Sequence, residues 1–156
     1  MTLHLVLLEP EIPQNTGNIA RTCVITGAPL HIIGPTGFSL DEKAVKRAGL
    51  DYWELLDFRY YNDYQEFLEK NQNAAVYYAT TKAEKAHSDV TYEDEVYIMF
   101  GKETAGIPKE ILQQNKDRCI RIPMLNIEKA RSLNLSNSAA IVAYEVLRQW
   151  DYPEMR

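Results

Sequence analysis

Apolar residues gather in short runs along this chain, separated by stretches in which they recur every three or four positions. The runs Leu3–Leu8, Leu30–Ile33, Glu54–Phe58, Ala75–Ala79, Val96–Phe100 and Arg118–Ile122 have the length and composition of strands. Helical spacing predicts helices over Gly17–Thr26, Leu40–Ala48, Asp63–Asn71 and Pro108–Gln114, and a long one from about Leu133 to Trp150. Strands alternating with helices predict an α/β fold: a mostly parallel sheet with helices on both faces, in three layers. In the last helix Ala139, Ala143, Val146, Leu147 and Trp150 share one face, and Ala140 and Tyr144 widen it. Either the sheet alone or the sheet and a second subunit would cover such a helix.

Length changes this picture little, since 156 residues suit one domain with one core. No apolar run approaches the ~20 residues of a membrane span. The start, Met1-Thr2-Leu3-His4, has neither a basic region nor a cleavage site, so the expected location is cytoplasmic. Cys23 and Cys119 have no CxxC or Cys/His spacing and read as buried free thiols.

Charge adds more. The net charge of −5 argues against a protein that coats nucleic acid nonspecifically, but its distribution is uneven. Residues 51–70 carry six acids against two bases, whereas residues 116–131 carry five bases (Lys116, Arg118, Arg121, Lys129, Arg131) against two acids. Lys43, Lys46 and Arg47 form another basic cluster. Such clusters are either solvated faces or a focused phosphate-binding patch.

Several chemistries drop out. No GxGxxG follows the first strand, and Gly101-Lys102 is followed by Glu103 where a P-loop needs Ser or Thr. Gly34-Pro35-Thr36-Gly37 is a bare GxxG that reads as an ordinary turn. His4 and His31 sit in apolar strands, where satisfied core histidines are expected, and His87 lies in a polar loop. Three scattered histidines without ligand spacing, and no GxSxG elbow, leave no hydrolase or metal site.

Three loops remain, each following a strand. Asn15-Thr-Gly-Asn-Ile-Ala-Arg21 places amides, a glycine and a fixed cation at a helix start. It is either a capped helix with a solvated arginine or one side of a ligand site. Phe100-Gly-Lys-Glu-Thr-Ala-Gly-Ile-Pro108 has two glycines that allow close backbone approach, or is a turn whose Glu103 or Thr104 caps the next helix. Ile122-Pro-Met124 leads on to Ser132-Leu-Asn-Leu-Ser-Asn-Ser138, where five of seven residues are Ser or Asn.

Together, in this order and spacing, the three loops resemble the motif set of the SPOUT, or trefoil-knot, methyltransferases. The segments Glu9-Pro-Glu-Ile-Pro-Gln-Asn15, Arg47-Ala-Gly-Leu-Asp-Tyr52 and Thr80-Thr-Lys82 are similar to those of the short bacterial tRNA (cytidine/uridine-34) 2′-O-methyltransferases, and the resemblance runs from about Leu3 to Tyr152. It implies a single SPOUT domain over residues 1–156 with a C-terminal trefoil knot, S-adenosyl-L-methionine as cofactor, no metal, and a homodimer with shared sites. The implied substrate is the wobble nucleotide in the anticodon stem-loop of tRNA, with leucine tRNAs as the expected isoacceptors.

By position, the resemblance assigns catalysis to Arg21, Asn15 and Asn18. Cofactor contacts fall at Ala79, Thr80, Gly101, Glu103, Gly106, Ile122, Met124, Ser132, Leu133 and Asn134. Substrate contacts fall at Lys43, Arg47, Lys129, Arg131, Ser136 and Asn137. Arg21 matches the family arginine proposed to assist deprotonation of the ribose hydroxyl, yet a guanidinium is a poor base at neutral pH, so stabilising charge is an equal account. Lys102 stands where relatives carry a small residue or proline. Alternatives are a ribosomal RNA ribose methyltransferase, a nonenzymatic RNA-binding module and a flavodoxin-like small-molecule protein.

Overall fold

The first strand, β1 (Thr2–Leu8), shows how the layers arise, because its side chains alternate between two cores. A computed structural model describes residues 1–40 and 53–156. Leu3, Leu5 and Leu7 face one side of the sheet, and Val6 and Leu8 the other. Among the described residues the six strands are all parallel, in the order β3-β2-β1-β5-β4-β6, with β2 at Leu30–Ile33, β3 at Phe58–Tyr61, β4 at Val76–Ala79, β5 at Glu95–Phe100 and β6 at Cys119–Ile120. Buried on both faces, β1 pairs Leu5 with Leu30 on one side and Leu7 with Phe100 on the other.

Helices α1 (Pro13–Thr26) and α4 (Leu135–Gln149) pack side by side on the first face. Ile19, Ala20 and Cys23 of α1 and Ala139, Val142, Ala143, Val146 and Leu147 of α4 meet the Leu3/Leu5/Leu7 side there. Pro13 starts α1, where its missing N–H costs nothing, and Gly27 ends it in the left-handed region at φ 76°. On the second face lie α2 (Tyr64–Lys70) and α3 (Lys109–Gln114), with Phe67 and Leu112 as anchors. Asp63 caps α2 by accepting from the Glu66 N–H at 2.8 Å.

One strand lies elsewhere than the sequence predicts. The predicted strand at 54–58 is preceded and overlapped by a short 3-10 turn, Trp53–Leu55, and the strand begins at Phe58. Trp53 packs on Phe58, with ring centroids 5.8 Å apart, so the apolar cluster fills a turn against the core. The edge strand itself exposes Arg59 and Tyr60, which hides it from a hydrophobicity pattern. Beyond Leu40, the helix predicted over Leu40–Ala48 lies outside the described residues, as do Lys43, Lys46, Arg47 and the segment to Tyr52.

Buried on the second face, His4 and His31 form a polar chain. His4 donates from Nε2 to Glu95 (3.0 Å), so its Nδ1 accepts from His31 Nε2 (2.9 Å), and His31 Nδ1 accepts from the Tyr61 hydroxyl (2.9 Å). His4 also stacks on Tyr97 at 3.9 Å. Burial, and then the neighbouring His4, pushes the pKa of His31 down to about 3. Burial likewise lowers that of His4, so its contact with Glu95 is a hydrogen bond of a neutral ring at neutral pH. Cys23 and Cys119 are both buried and unoxidised, and the Cys23 thiol is raised far above its usual range by burial.

Candidate active site

The strand order reverses between β1 and β5: from β1 the chain moves outward to β2 and β3, then returns from the other side through β4 to β5. A crevice opens at such a switch point beyond the carboxyl ends of the strands. The loops after β1 and β5 therefore leave the same edge side by side, although ~90 residues separate them in the chain.

Their contact is a reciprocal carboxylate clasp. Glu103, in the loop after β5, accepts the backbone N–H groups of Glu11 and Ile12, each at 2.9 Å, and the Asn15 side-chain amide at 3.2 Å. Glu11 in turn accepts the Thr104 N–H at 2.9 Å and its hydroxyl at 2.7 Å. The Thr104 hydroxyl and N–H hold the Glu11 carboxyl below its usual range. Glu103 thus ties down the start of α1, and neither it nor Thr104 caps the helix that follows. Pro108 occupies that cap position without a side-chain bond.

Asn15 carries the connection to the third loop. Only 5% exposed, it donates to Glu103 and accepts from the Asn134 amide at 3.1 Å. Asn134 is the N-cap of α4: its Oδ1 accepts from Ser136 N–H (2.9 Å), Ser136 Oγ (2.6 Å) and Asn137 N–H (3.3 Å). A continuous chain, Glu103 to Asn15 to Asn134 to Ser136 and Asn137, therefore joins all three loops. The Ser/Asn density read from the sequence is a helix cap whose remaining amide is spent on α1.

Backbone fit sets the shape of the middle loop. A Cβ on Gly101 would lie 2.1 Å from the Gly106 carbonyl carbon and 2.2 Å from Ile107 N, so only glycine fits. The loop closes through Gly106 N–H to Lys102 O at 2.8 Å, with Gly106 at φ 71°. Beside it, Thr80 N–H donates to Ile120 O at 2.9 Å, joining the loop after β4 to β6. Ala79, Ile122 and Met124 are half-buried there, and Ser132 and Leu133 are exposed just before Asn134.

Asn18 and Arg21 sit one and two turns along α1 from Asn15, exposed, while Asn15 points into the clasp. Lys129 and Arg131 are exposed in the loop before α4. The basic run from Lys116 to Arg131 does not make one surface. Arg118 pairs with Glu93 at 2.8 Å and lies 4.9 Å over the Tyr77 ring, and Arg121 is half-buried with Nη1 donating to the Ala83 carbonyl (3.5 Å). Sequence reasoning missed Glu11; the signal available was a second acid three residues after the central strand, between two prolines. It also gave His87 no partner, but its backbone N–H donates to Arg121 O at 2.7 Å. Among the described residues no group of three or more His, Cys, Asp or Glu could hold a metal ion.

Residues 2–144 match the model of the SpoU rRNA Methylase family. The chain belongs to that family. A relative in Escherichia coli (strain K12), tRNA (cytidine(34)-2′-O)-methyltransferase, is 49% identical over 152 residues, covering 97% of this chain and 96% of that protein. A solved structure described as giving structural insights into the 2-OH methylation of C/U34 on tRNA is 41% identical, with a TM-score of 0.90, covering 96% of this chain and 97% of that one. The SpoU methyltransferase AviRb from Streptomyces viridochromogenes, in complex with the cofactor AdoMet, is 22% identical with a TM-score of 0.85 over 96% of this chain and 61% of that one. At that identity it supports the fold alone.

Proposed function

We propose that this protein transfers the methyl group of S-adenosylmethionine to the ribose 2′-oxygen of the wobble nucleotide, cytidine or uridine 34, of tRNA. The near full-length similarity to the Escherichia coli enzyme supports the substrate. The observation that carries the site is the Glu103–Asn15–Asn134 chain, because it holds the three motif loops in one fixed arrangement.

The loops suit the cofactor. Around Gly101 the backbone closes with no room for a side chain, and the neighbouring Ala79, Ile122, Met124 and Leu133 are small or apolar. Such a surface offers backbone groups to an adenine edge and apolar contacts to its faces. When bound, S-adenosylmethionine supplies a methyl already activated by the sulfonium. The protein then has to align the 2′-oxygen and accommodate its charge. Ala79, Thr80, Gly101, Gly106, Ile122, Met124, Ser132 and Leu133 hold the cofactor, while Glu103 and Asn134 position it through the clasp.

On the substrate side, Arg21 orients the RNA phosphate and stabilises the developing alkoxide, a role suited to a group that stays charged. Asn18 stands beside it on the exposed face of α1, and Asn15 fixes that face relative to the cofactor loops. Lys129 and Arg131 contact tRNA backbone. Lys43 and Arg47 are assigned to the same task from the sequence resemblance.

Residues 1–156 act in this reading as one domain, with the C-terminal segment threaded as a trefoil knot, in a cytoplasmic homodimer. The knot is supported by β6 pairing outside β4 while α4 returns across the sheet to α1. Exposed apolar side chains, Ile25 on α1 and Ile141 and Tyr144 on α4, support a second subunit on that face. The test is Arg21→Ala with labelled S-adenosylmethionine and tRNA. We expect kcat to fall by roughly 10²–10³-fold with cofactor affinity unchanged; a kcat equal to the parent's would remove Arg21 from the reaction.

A further inference from the structure

A cavity of about 390 Å³ lies on the face of the sheet opposite α1 and α4, between the loop after β4, helix α3 and the turn before β6. It shares Thr80 with the proposed cofactor loops and is otherwise built from different residues. Its floor is apolar: Ala83, Leu112 and Cys119, all buried. Its rim carries four lysines, Lys82, Lys85, Lys109 and Lys116, against two acids, Glu84 and Asp117.

Four cations around one concave surface in a chain of net charge −5 call for an explanation. Four other bases are paired with acids of the chain, in Arg59–Asp57, Lys70–Glu66, Arg118–Glu93 and Arg148–Glu145. Among the described residues no carboxylate lies within 4.0 Å of these four ammonium groups. Lys85 donates to a backbone carbonyl, that of Asp117, at 3.5 Å, which leaves its charge uncompensated. Gathering like charges is unfavourable unless an anion visits. An apolar floor beneath such a rim matches a nucleotide, whose base or ribose face is apolar and whose phosphate is anionic. Glu84 and Asp117 add acceptors for a ribose hydroxyl or an exocyclic amine, groups that inorganic phosphate lacks.

We propose that this cavity binds a nucleotide of the substrate tRNA other than the wobble nucleotide, with the phosphate on the lysines and the base or ribose on the apolar floor. The inference rests on tRNA being the substrate. β6 is an edge strand, so an RNA held on the α1 face can pass around that edge and reach the opposite face.

The double variant Lys109→Ala/Lys116→Ala tests this, since both residues are exposed and neither belongs to the three motif loops. Expected results are a several-fold higher KM for tRNA, unchanged kcat and unchanged affinity for S-adenosylmethionine. The slope of log K against log salt for tRNA binding should be shallower by roughly 0.7–0.9 per lysine. Lys109→Arg/Lys116→Arg should restore both quantities, since any fixed cation serves a phosphate. A salt slope and KM equal to the parent's would overturn the proposal, as would failure of the arginine pair to rescue. Since the slope is read from binding alone, an absence of methylation by the parent would count against the proposed function and not against this cavity.

Discussion

Replacing Gly101 by alanine tests how tightly the middle loop is specified. The added Cβ would sit 2.1 Å from Gly106 C, 2.2 Å from Ile107 N and 2.6 Å from Gly106 O, all of them backbone atoms. Carbon atoms rest at ~3.5–4.0 Å, so the 106–107 backbone has to retreat by more than about 1 Å. It cannot do so freely, because Ile107 is 3% exposed and packed in the second core. Overpacking of this kind costs about 1–3 kcal/mol, or a fall in Tm of roughly 2–4 °C per kcal/mol. A misplacement of about 1 Å in a positioning loop also lowers rate by roughly 10²-fold. We expect weaker S-adenosylmethionine binding by calorimetry, by tenfold or more, and slower methyl transfer under single turnover. Gly106→Ala is the control: nothing lies within 4 Å of its Cβ, and the change costs only backbone strain at φ 71°, about 1–2 kcal/mol. Parent-like cofactor affinity and rate in Gly101→Ala would refute the claim that this loop geometry forms the cofactor site.

Two further outcomes follow from the hydrogen bonds. Asn134→Ala removes the α4 cap and the link to Asn15, and should cost about 1–3 kcal/mol in urea unfolding, more than the ~1 kcal/mol of an ordinary cap; a smaller loss would mean the link to Asn15 carries no energy. His31 has a folded-state pKa of about 3 against 6.5, so the unfolded state binds more protons between these values and stability falls as pH drops through that window. Unfolding free energy should be about 2 kcal/mol lower at pH 5.0 than at pH 7.5, on the order of 1.4 kcal/mol per pH unit below 6.5; no change over that interval would contradict the neutral, buried histidine pair.

Much of the fold is legible in the sequence because most strands are buried on both faces. Val96–Phe100 is a continuous apolar run, Leu30–Ile33 is broken only by the buried His31, and α4 shows its face at Ala139, Ala143, Val146 and Leu147. Phe58–Tyr61 escapes this logic because an edge strand needs only one covered side, and Trp53, Leu55 and Leu56 imitate a strand beside it. The three loops are visible as segments, but their union is not. Glu103 meets Glu11, Ile12 and Asn15 only because β1 and β5 are neighbours, a fact of topology that no local pattern contains. Charge clusters mislead in the same way, since a linear run from Lys116 to Arg131 divides among a cavity rim, an ion pair with Glu93 and an exposed loop. The lysine-rimmed cavity draws on three segments of chain, the loop after β4, helix α3 and the turn before β6, which is why composition alone did not reveal it.

The central claim is tested most directly by locating the methyl group. Purified protein, S-adenosylmethionine and tRNA from cells lacking this protein are incubated together, and the product is mapped by nuclease digestion and mass spectrometry. The account predicts one new 2′-O-methyl group, on cytidine or uridine at nucleotide 34. Methylation at any other position, or none with a protein that binds the cofactor, would contradict it.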